Sequence, residues 1–154
     1  MSAAVTDDKG VIIVCPACGR KNRTPYERLG ETGRCGQCKA DLPPPSAPLD
    51  IETEARFNRL VGASPLPVIV DFWAPWCGPC RMVAPEMEKV AAANRGKLVV
   101  AKVNTEALPA LGSRHEIRSI PTMAVFAGGR EVARTAGARP AHDIEAFVRQ
   151  ALLG

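Results

Sequence analysis

Three Cys-x-x-Cys pairs set the terms for this chain: Cys15-Pro-Ala-Cys18, Cys35-Gly-Gln-Cys38 and Cys77-Gly78-Pro79-Cys80. The spacing brings two sulfurs to one side of a turn, where they close a reversible disulfide, share a metal ion or cross-link a scaffold, and the surroundings decide which. No apolar run approaches the roughly 18 residues of a membrane span, and residues 1–10 are polar and carry two acids. A cytoplasmic location without membrane attachment is therefore expected. In that reducing compartment, six cysteines point to metal ligation or catalysis rather than to permanent cross-links.

Composition divides the chain. Residues 42–48, LPPPSAP, hold four prolines in seven positions and read as an extended linker. Upstream, Val11, Ile12, Ile13, Val14, Tyr26, Leu29 and Leu42 are too few to bury a self-sufficient core. Downstream, helix and strand patterns alternate. ETEARFNRLV is helical, PVIVDFW is an apolar strand, and VAPEMEKVAAANRG is a helix closed by Gly96. Strand KLVVAKV follows, then a short helix starting at Thr105, then TMAVF and EVARTA as a hairpin across Gly128-Gly129. Ile144, Phe147, Val148, Ala151 and Leu152 mark one buried face of a last helix. The expected organisation is a small domain over residues 1–42, a linker over 43–48, and an α/β domain over 49–154 with a mixed central sheet flanked by helices.

The two upstream pairs are separated by residues 19–34, which is zinc-ribbon spacing. Tetrahedral zinc takes four thiolates at about 2.3 Å, and each C-x-x-C turn frees backbone N–H groups to bond the sulfurs. Gly19, directly after Cys18, suits such a turn. With all four ligands supplied by protein, the expected site is closed and structural: one Zn2+ per chain on Cys15, Cys18, Cys35 and Cys38, and no tightly bound organic cofactor. Structural zinc contributes roughly 10–16 kcal/mol in small peptides, enough to fold a segment that lacks a core. Two disulfides are the competing reading. Arg20, Lys21 and Arg23 suggest a basic patch, but Glu27, Glu31 and Asp41 dilute it and only Tyr26 offers a ring for stacking. The net charge of +4 adds no argument for nucleic acid, and none is expected.

The third pair follows a strand and opens a helix. Cys77 then sits at a helix N-terminus, where unpaired N–H groups and the macrodipole favour the thiolate and make it the nucleophile. Pro79 fits the first helical turn and stiffens the spacer, and Cys80 points inward as the resolving thiol. A zinc site here would need two more ligands, and His115 and His142 stand at no metal-like spacing; both read as surface helix residues. Asp71 interrupts an apolar strand, so its carboxyl is expected to be partly buried behind the pair, with a raised pKa suited to taking the Cys80 proton. A strand-end Asp facing water is the plainer reading. Trp73 is expected in the core, and Trp76 beside Gly78 and Pro79 on the rim that meets substrate.

WCGPC within VDFWAPWCGPCRMVAP, followed by AKVNTE, IRSIPT and the Gly-Gly hairpin, resembles the thioredoxin family over residues 49–154. With the four upstream cysteines added, the chain resembles the zinc-ribbon-bearing thioredoxins of bacteria, the thioredoxin 2 type. The resemblance implies cytoplasmic reduction of disulfide-containing protein substrates and recharging by an NADPH-dependent flavoprotein, thioredoxin reductase. It also implies that Lys102, on the adjacent strand, tunes Asp71, and that the Ile120-Pro121 bond is cis and leaves backbone groups free to pair with an extended substrate. Gly137 and Ala138 complete the implied substrate rim, and residues 138–142 depart locally from the family pattern. The Gly78-Pro79 spacer places no cation between the cysteines and so favours a reductant. A protein-binding or holdase module with a redox switch and a zinc ribbon is the reading from another class.

Overall fold

The computed structural model describes residues 4–154; the first three residues of the polar N-terminus lie outside them. The upstream half is built from two small hairpins. β1 (Gly10–Val14) pairs antiparallel with β2 (Lys21–Pro25), a 3-10 turn follows at Tyr26–Arg28, and β3 (Gly33–Arg34) pairs antiparallel with β4 (Asp41–Leu42). The downstream half runs β5 (Leu49–Asp50), α1 (Glu54–Ala63), β6 (Val68–Trp73), α2 (Gly78–Ala93), β7 (Val99–Asn104), α3 (Pro109–Arg114), β8 (Thr122–Ala127), β9 (Arg130–Ala136) and α4 (Ala141–Leu153). Its sheet has the order β5-β7-β6-β8-β9. The first three of these strands are parallel to one another, β8 runs antiparallel to β6, and β9 runs antiparallel to β8.

Strand β6 is the centre of this arrangement, and its alternation assigns the two faces. Val68, Val70 and Phe72 join Phe57 and Leu60 of α1 in one core cluster. Ile69 joins Val83, Met87 and Val90 of α2 and Ile144 and Val148 of α4 in the other. A parallel strand covered on both sides reads as a continuous apolar run, as VIV does here.

Several expected boundaries shift for local reasons. The α1 N-cap is Thr53, whose hydroxyl accepts the Arg56 N–H at 3.1 Å. Helix α2 ends at Asn94, whose side-chain amide donates to the Val90 carbonyl at 2.8 Å, and Gly96 lies in the following turn. Thr105 does not cap α3. Its hydroxyl donates to the Trp73 carbonyl, Asn104 accepts the Glu106 and Ala107 N–H groups, and the helix is delayed to Pro109. On α4, Ile144 and Val148 are buried, but Leu152 is 45% exposed in the last turn. His115 is no plain surface residue: its half-buried ring lies 5.1 Å from Phe57 and 5.7 Å from Phe126. His142 is exposed on α4, as expected.

The shortage of apolar residues upstream is resolved by sharing. Val11, Tyr26 and Leu29 are fully buried in the same cluster as Leu49, Phe57 and Leu60. Tyr26, the one ring available for base stacking, lies beneath the Arg59 guanidinium, 5.8 Å from its centroid. Residues 4–6 complete the joint: the Asp50 N–H donates to the Ala4 carbonyl at 2.9 Å, and the Ile12 N–H donates to Val5 at 2.9 Å. One short extended segment thus bridges β5 and β1. Residues 43–47 are half-buried and Pro48 is buried, so the linker is laid against the fold.

Leu29→Ala should cost about 2–5 kcal/mol, the usual range for a buried leucine. Because Leu29 packs with α1, the loss should lower the denaturant midpoint read from Trp73 and Trp76 fluorescence. An unchanged tryptophan midpoint would show that the halves unfold separately.

Candidate active site and metal centre

Cys77 and Cys80 are joined by a disulfide across a Cα–Cα distance of 5.3 Å. The chain leaves β6 at Trp73, turns through residues 74–76, and enters α2 with Cys77 as the N-cap, Gly78 as the first helical residue and Pro79 in the first turn. The Cys80 N–H points at Cys77 Sγ from 3.2 Å. An N-cap normally satisfies such a donor with a side-chain oxygen; here a sulfur receives it, the arrangement that favours a thiolate when the bond is reduced. Both cysteines are buried, while Trp76 beside them is 68% exposed.

Asp71 shares the α2 side of β6 with Ile69, because side chains alternate along a strand. It is 1% exposed, and neither carboxylate oxygen has a hydrogen-bond partner. Burial pushes its pKa up to about 7, with the opposing pull of Lys102 the smaller influence. Lys102 lies directly across in the β6–β7 register, and its ammonium stands 4.8 Å from the Trp73 ring centroid. Trp73 is half-buried rather than fully enclosed in the core. A water-facing strand-end carboxylate is excluded for Asp71.

Pro121 closes the other side. The Ile120-Pro121 bond is cis, and Cys77 Sγ lies 3.8 Å from the Ile120 carbonyl oxygen. Strand β8 starts at Thr122 opposite Phe72, so the antiparallel pairing returns the chain to the redox pair. The Gly137 N–H donates to the Pro121 carbonyl at 2.9 Å, and Gly137 adopts φ 97°, a conformation costly for any side chain. Trp76, Ile120 and Ile117 border one cavity beside the pair; Met82, Ala138 and Arg139 border another. Met82 is as exposed as Trp76 and escaped the sequence reading because one methionine on an amphipathic helix carries no signal of its own. Asp50 escaped it too, and Asp50 faces Lys102 from β5.

The upstream cysteines converge. Their four Sγ atoms all lie within 4.8 Å of one another, with Cys15–Cys38 and Cys18–Cys35 each at 3.6 Å. Four sulfurs at about 2.3 Å from one tetrahedral centre stand about 3.8 Å apart, so the set fits a metal of zinc's size. The two knuckles repeat one geometry. Cys15 N–H donates to Arg20 and Gly19 N–H to Cys15; Cys35 N–H donates to Ala40 and Lys39 N–H to Cys35. Gly19 and Lys39 occupy the same left-handed position at φ 77° and 66°. The second has no glycine to announce it. Asn22 adds a support absent from the spacing argument, donating to Cys35 Sγ at 3.5 Å and accepting the Gly36 N–H at 3.0 Å.

A buried carboxyl whose folded pKa is about 7 binds its proton more tightly folded than unfolded. Its stabilising effect is complete below about pH 4 and is lost as pH rises to about 7, a change of roughly 4 kcal/mol. Asp71→Asn should therefore gain stability relative to the parent across that window and hold the gain above it. Denaturant unfolding at a series of pH values reads the difference, and parallel curves would contradict it.

The Thioredoxin family model matches residues 48–150, and the model described as Thioredoxin 2, N-terminal, matches residues 14–40. Thioredoxin C-3 of Corynebacterium nephridii is 42% identical over 142 residues, covering 92% of this chain and 96% of the relative. Thioredoxin 1 of Nostoc sp. is 51% identical over 88 residues, 57% of this chain and 82% of the relative. A solved structure of a mutant thioredoxin from Halobacterium salinarum superposes with a TM-score of 0.64 at 28% identity, covering 70% of this chain and 92% of that one. A strand-to-helix cysteine pair and an upstream four-cysteine ribbon, matched together along almost the whole chain, leave one assignment: the chain belongs to the thioredoxin family and is a protein-disulfide reductase.

Proposed function

We propose that Cys77 is the nucleophile, Cys80 the resolving thiol and Asp71 the proton acceptor of a reductive exchange cycle. The observation that carries this reading is the Cys80 N–H aimed at Cys77 Sγ at the start of α2. The Cys77 thiolate attacks a substrate disulfide; one substrate sulfur leaves as a thiolate and the other remains bonded to Cys77. Asp71 takes the Cys80 proton, Cys80 sulfur attacks Cys77 sulfur, and the second substrate thiolate departs. Two electrons pass to the substrate, and the Cys77–Cys80 disulfide remains. A pKa of about 7 makes Asp71 an acceptor matched to neutral conditions. Trp76, Gly78, Pro79, Ile120, Pro121 and Gly137 form the surface on which an extended substrate lies, with backbone pairing beside the cis bond. Lys102 tunes Asp71.

Recharging in this reading comes from an NADPH-dependent thioredoxin reductase in the cytoplasm. The ribbon over 1–42, the linker over 43–48 and the thioredoxin unit over 49–154 then divide the chemistry, although they share a core. Cys15, Cys18, Cys35 and Cys38 would hold one zinc ion, whose contribution is to fix the two knuckles together.

Cys80→Ser should accumulate substrates as mixed disulfides on Cys77 that dissolve on adding reductant, while Cys77→Ser should trap very little. Non-reducing electrophoresis from one extract compares them. Equal trapping, or more by Cys77→Ser, would reverse the roles. Protein purified under reducing conditions should carry one zinc per chain by elemental analysis, and Cys35→Ser should lose it. Iron in its place, or four titratable thiols with no metal, would refute the zinc assignment.

A further inference from the structure

Three charged groups lie side by side across three strands, and only two of them belong to the cycle just described. In register, Asp50 of β5 stands opposite Lys102 of β7, which stands opposite Asp71 of β6. Neighbours in register present their side chains to the same face of a sheet, so one lysine is placed between two aspartates. Lys102 makes no ion pair within 4.0 Å among the described residues; its ammonium lies over Trp73. It acts on both acids through space, pulling the pKa of each down against the burial that raises it.

We propose that Asp50 is a positioning residue for the reductive cycle: its carboxylate shares the charge of Lys102 and thereby limits how strongly Lys102 acts on Asp71. The proposal rests on the reading of Asp71 as proton acceptor. Its physical logic is that a lysine on a flexible stem settles between two attractors. Without Asp50, the ammonium moves fully under the influence of Asp71 and holds that carboxyl ionised to lower pH. Loss of a second negative charge on the same face acts in the same direction.

The other groups around the triad do not compete for this role. Met123, opposite Asp71 on β8, is uncharged. Cys80 approaches from α2 as the proton donor of the cycle. Glu52 raises the Asp50 pKa further, but its own carboxylate lies 3.9 Å from the Arg56 guanidinium. Asp50 is held in place by backbone bonds on both sides, donating to Ala4 and accepting from the Thr6 hydroxyl at 2.9 Å. These bonds use its main chain and leave the carboxylate free to act on Lys102.

The test is Asp50→Asn in the full chain, read in two ways. Carboxyl NMR of Asp71 should titrate at a pH lower by about half a unit or more, and the acid limb of the pH profile for disulfide reduction should move down with it. Asp50→Glu, which keeps the charge, should restore the parent values. In a Lys102→Met background the Asp50→Asn shift should shrink by at least half. An unmoved or upward Asp71 titration overturns the proposal, as does a shift of full size without Lys102. A lowered Asp71 titration with an unmoved rate profile upholds the Asp50 coupling and instead overturns Asp71 as proton acceptor. If Asp50→Asn does not fold, Asp50→Ser with the same NMR reading takes its place.

Discussion

Everything at the redox pair depends on β6 having neighbours that run in opposite directions. Its parallel partner β7 requires a crossover, supplied by α2. That crossover must begin at the end of β6, and there the chain places Cys77. Its antiparallel partner β8 must begin at the same end, and the residue before Thr122 is Pro121. Cys77 Sγ and the Ile120 carbonyl oxygen, 43 residues apart along the chain, therefore meet at 3.8 Å because the strand directions bring both segments to one end of β6. The functional face is a consequence of topology before it is a consequence of side chains.

This explains what was legible in the sequence. Local chemistry could be read directly: a helix start at Cys77, a ribbon spacing in the upstream pairs, an acid out of place in VIVDFW. The Asp71 environment followed from the same reasoning, since a charge in a doubly covered strand has nowhere to go. What could not be read was whatever depends on competition between nearby polar groups. Asn104 and Thr105 both offer capping side chains; Asn104 closes the turn, Thr105 bonds back to Trp73, and the helix waits for Pro109. Asn94 likewise ends α2 before Gly96 does. Lys39 adopts the left-handed conformation that glycine takes at the equivalent position of the first knuckle. The knuckle imposes that conformation through its backbone bonds, whatever the residue.

The ribbon's place in the fold is the larger departure from a linear reading. A proline-rich stretch between two compositionally distinct halves suggests separate bodies. Yet a segment with few apolar residues must bury them somewhere, and α1 offers an apolar face that would otherwise meet water. Tyr26, Leu29 and Val11 cover it. Residues 4–6 add backbone bonds to β5, covering an edge that would otherwise present unpaired donors. Arg56 then links the surfaces electrostatically, its Nη1 donating to the Thr6 carbonyl at 3.0 Å and its Nε approaching Asp8 at 3.1 Å. Such exposed ion pairs contribute little singly, so the joint rests chiefly on the buried side chains and the backbone bridge.

The shared core also bears on the chemistry. A carboxylate ionised without a hydrogen-bond partner in a buried strand destabilises the fold at neutral pH, and a typical domain has only about 5–15 kcal/mol to lose. Asp71 persists because the sheet around it is covered on both faces, by α2 and α4 on its own side and by α1 on the other. The ribbon thickens the α1 side. Fully burying one large apolar side chain contributes about 1.5–3 kcal/mol, so Val11, Tyr26 and Leu29 together are on the scale of the cost imposed by one poorly solvated acid. The four-cysteine segment and Asp71 share no bond, yet they act on the same folding equilibrium. A carboxyl kept out of water is tolerated here partly because the ribbon's apolar side chains are packed against the opposite layer.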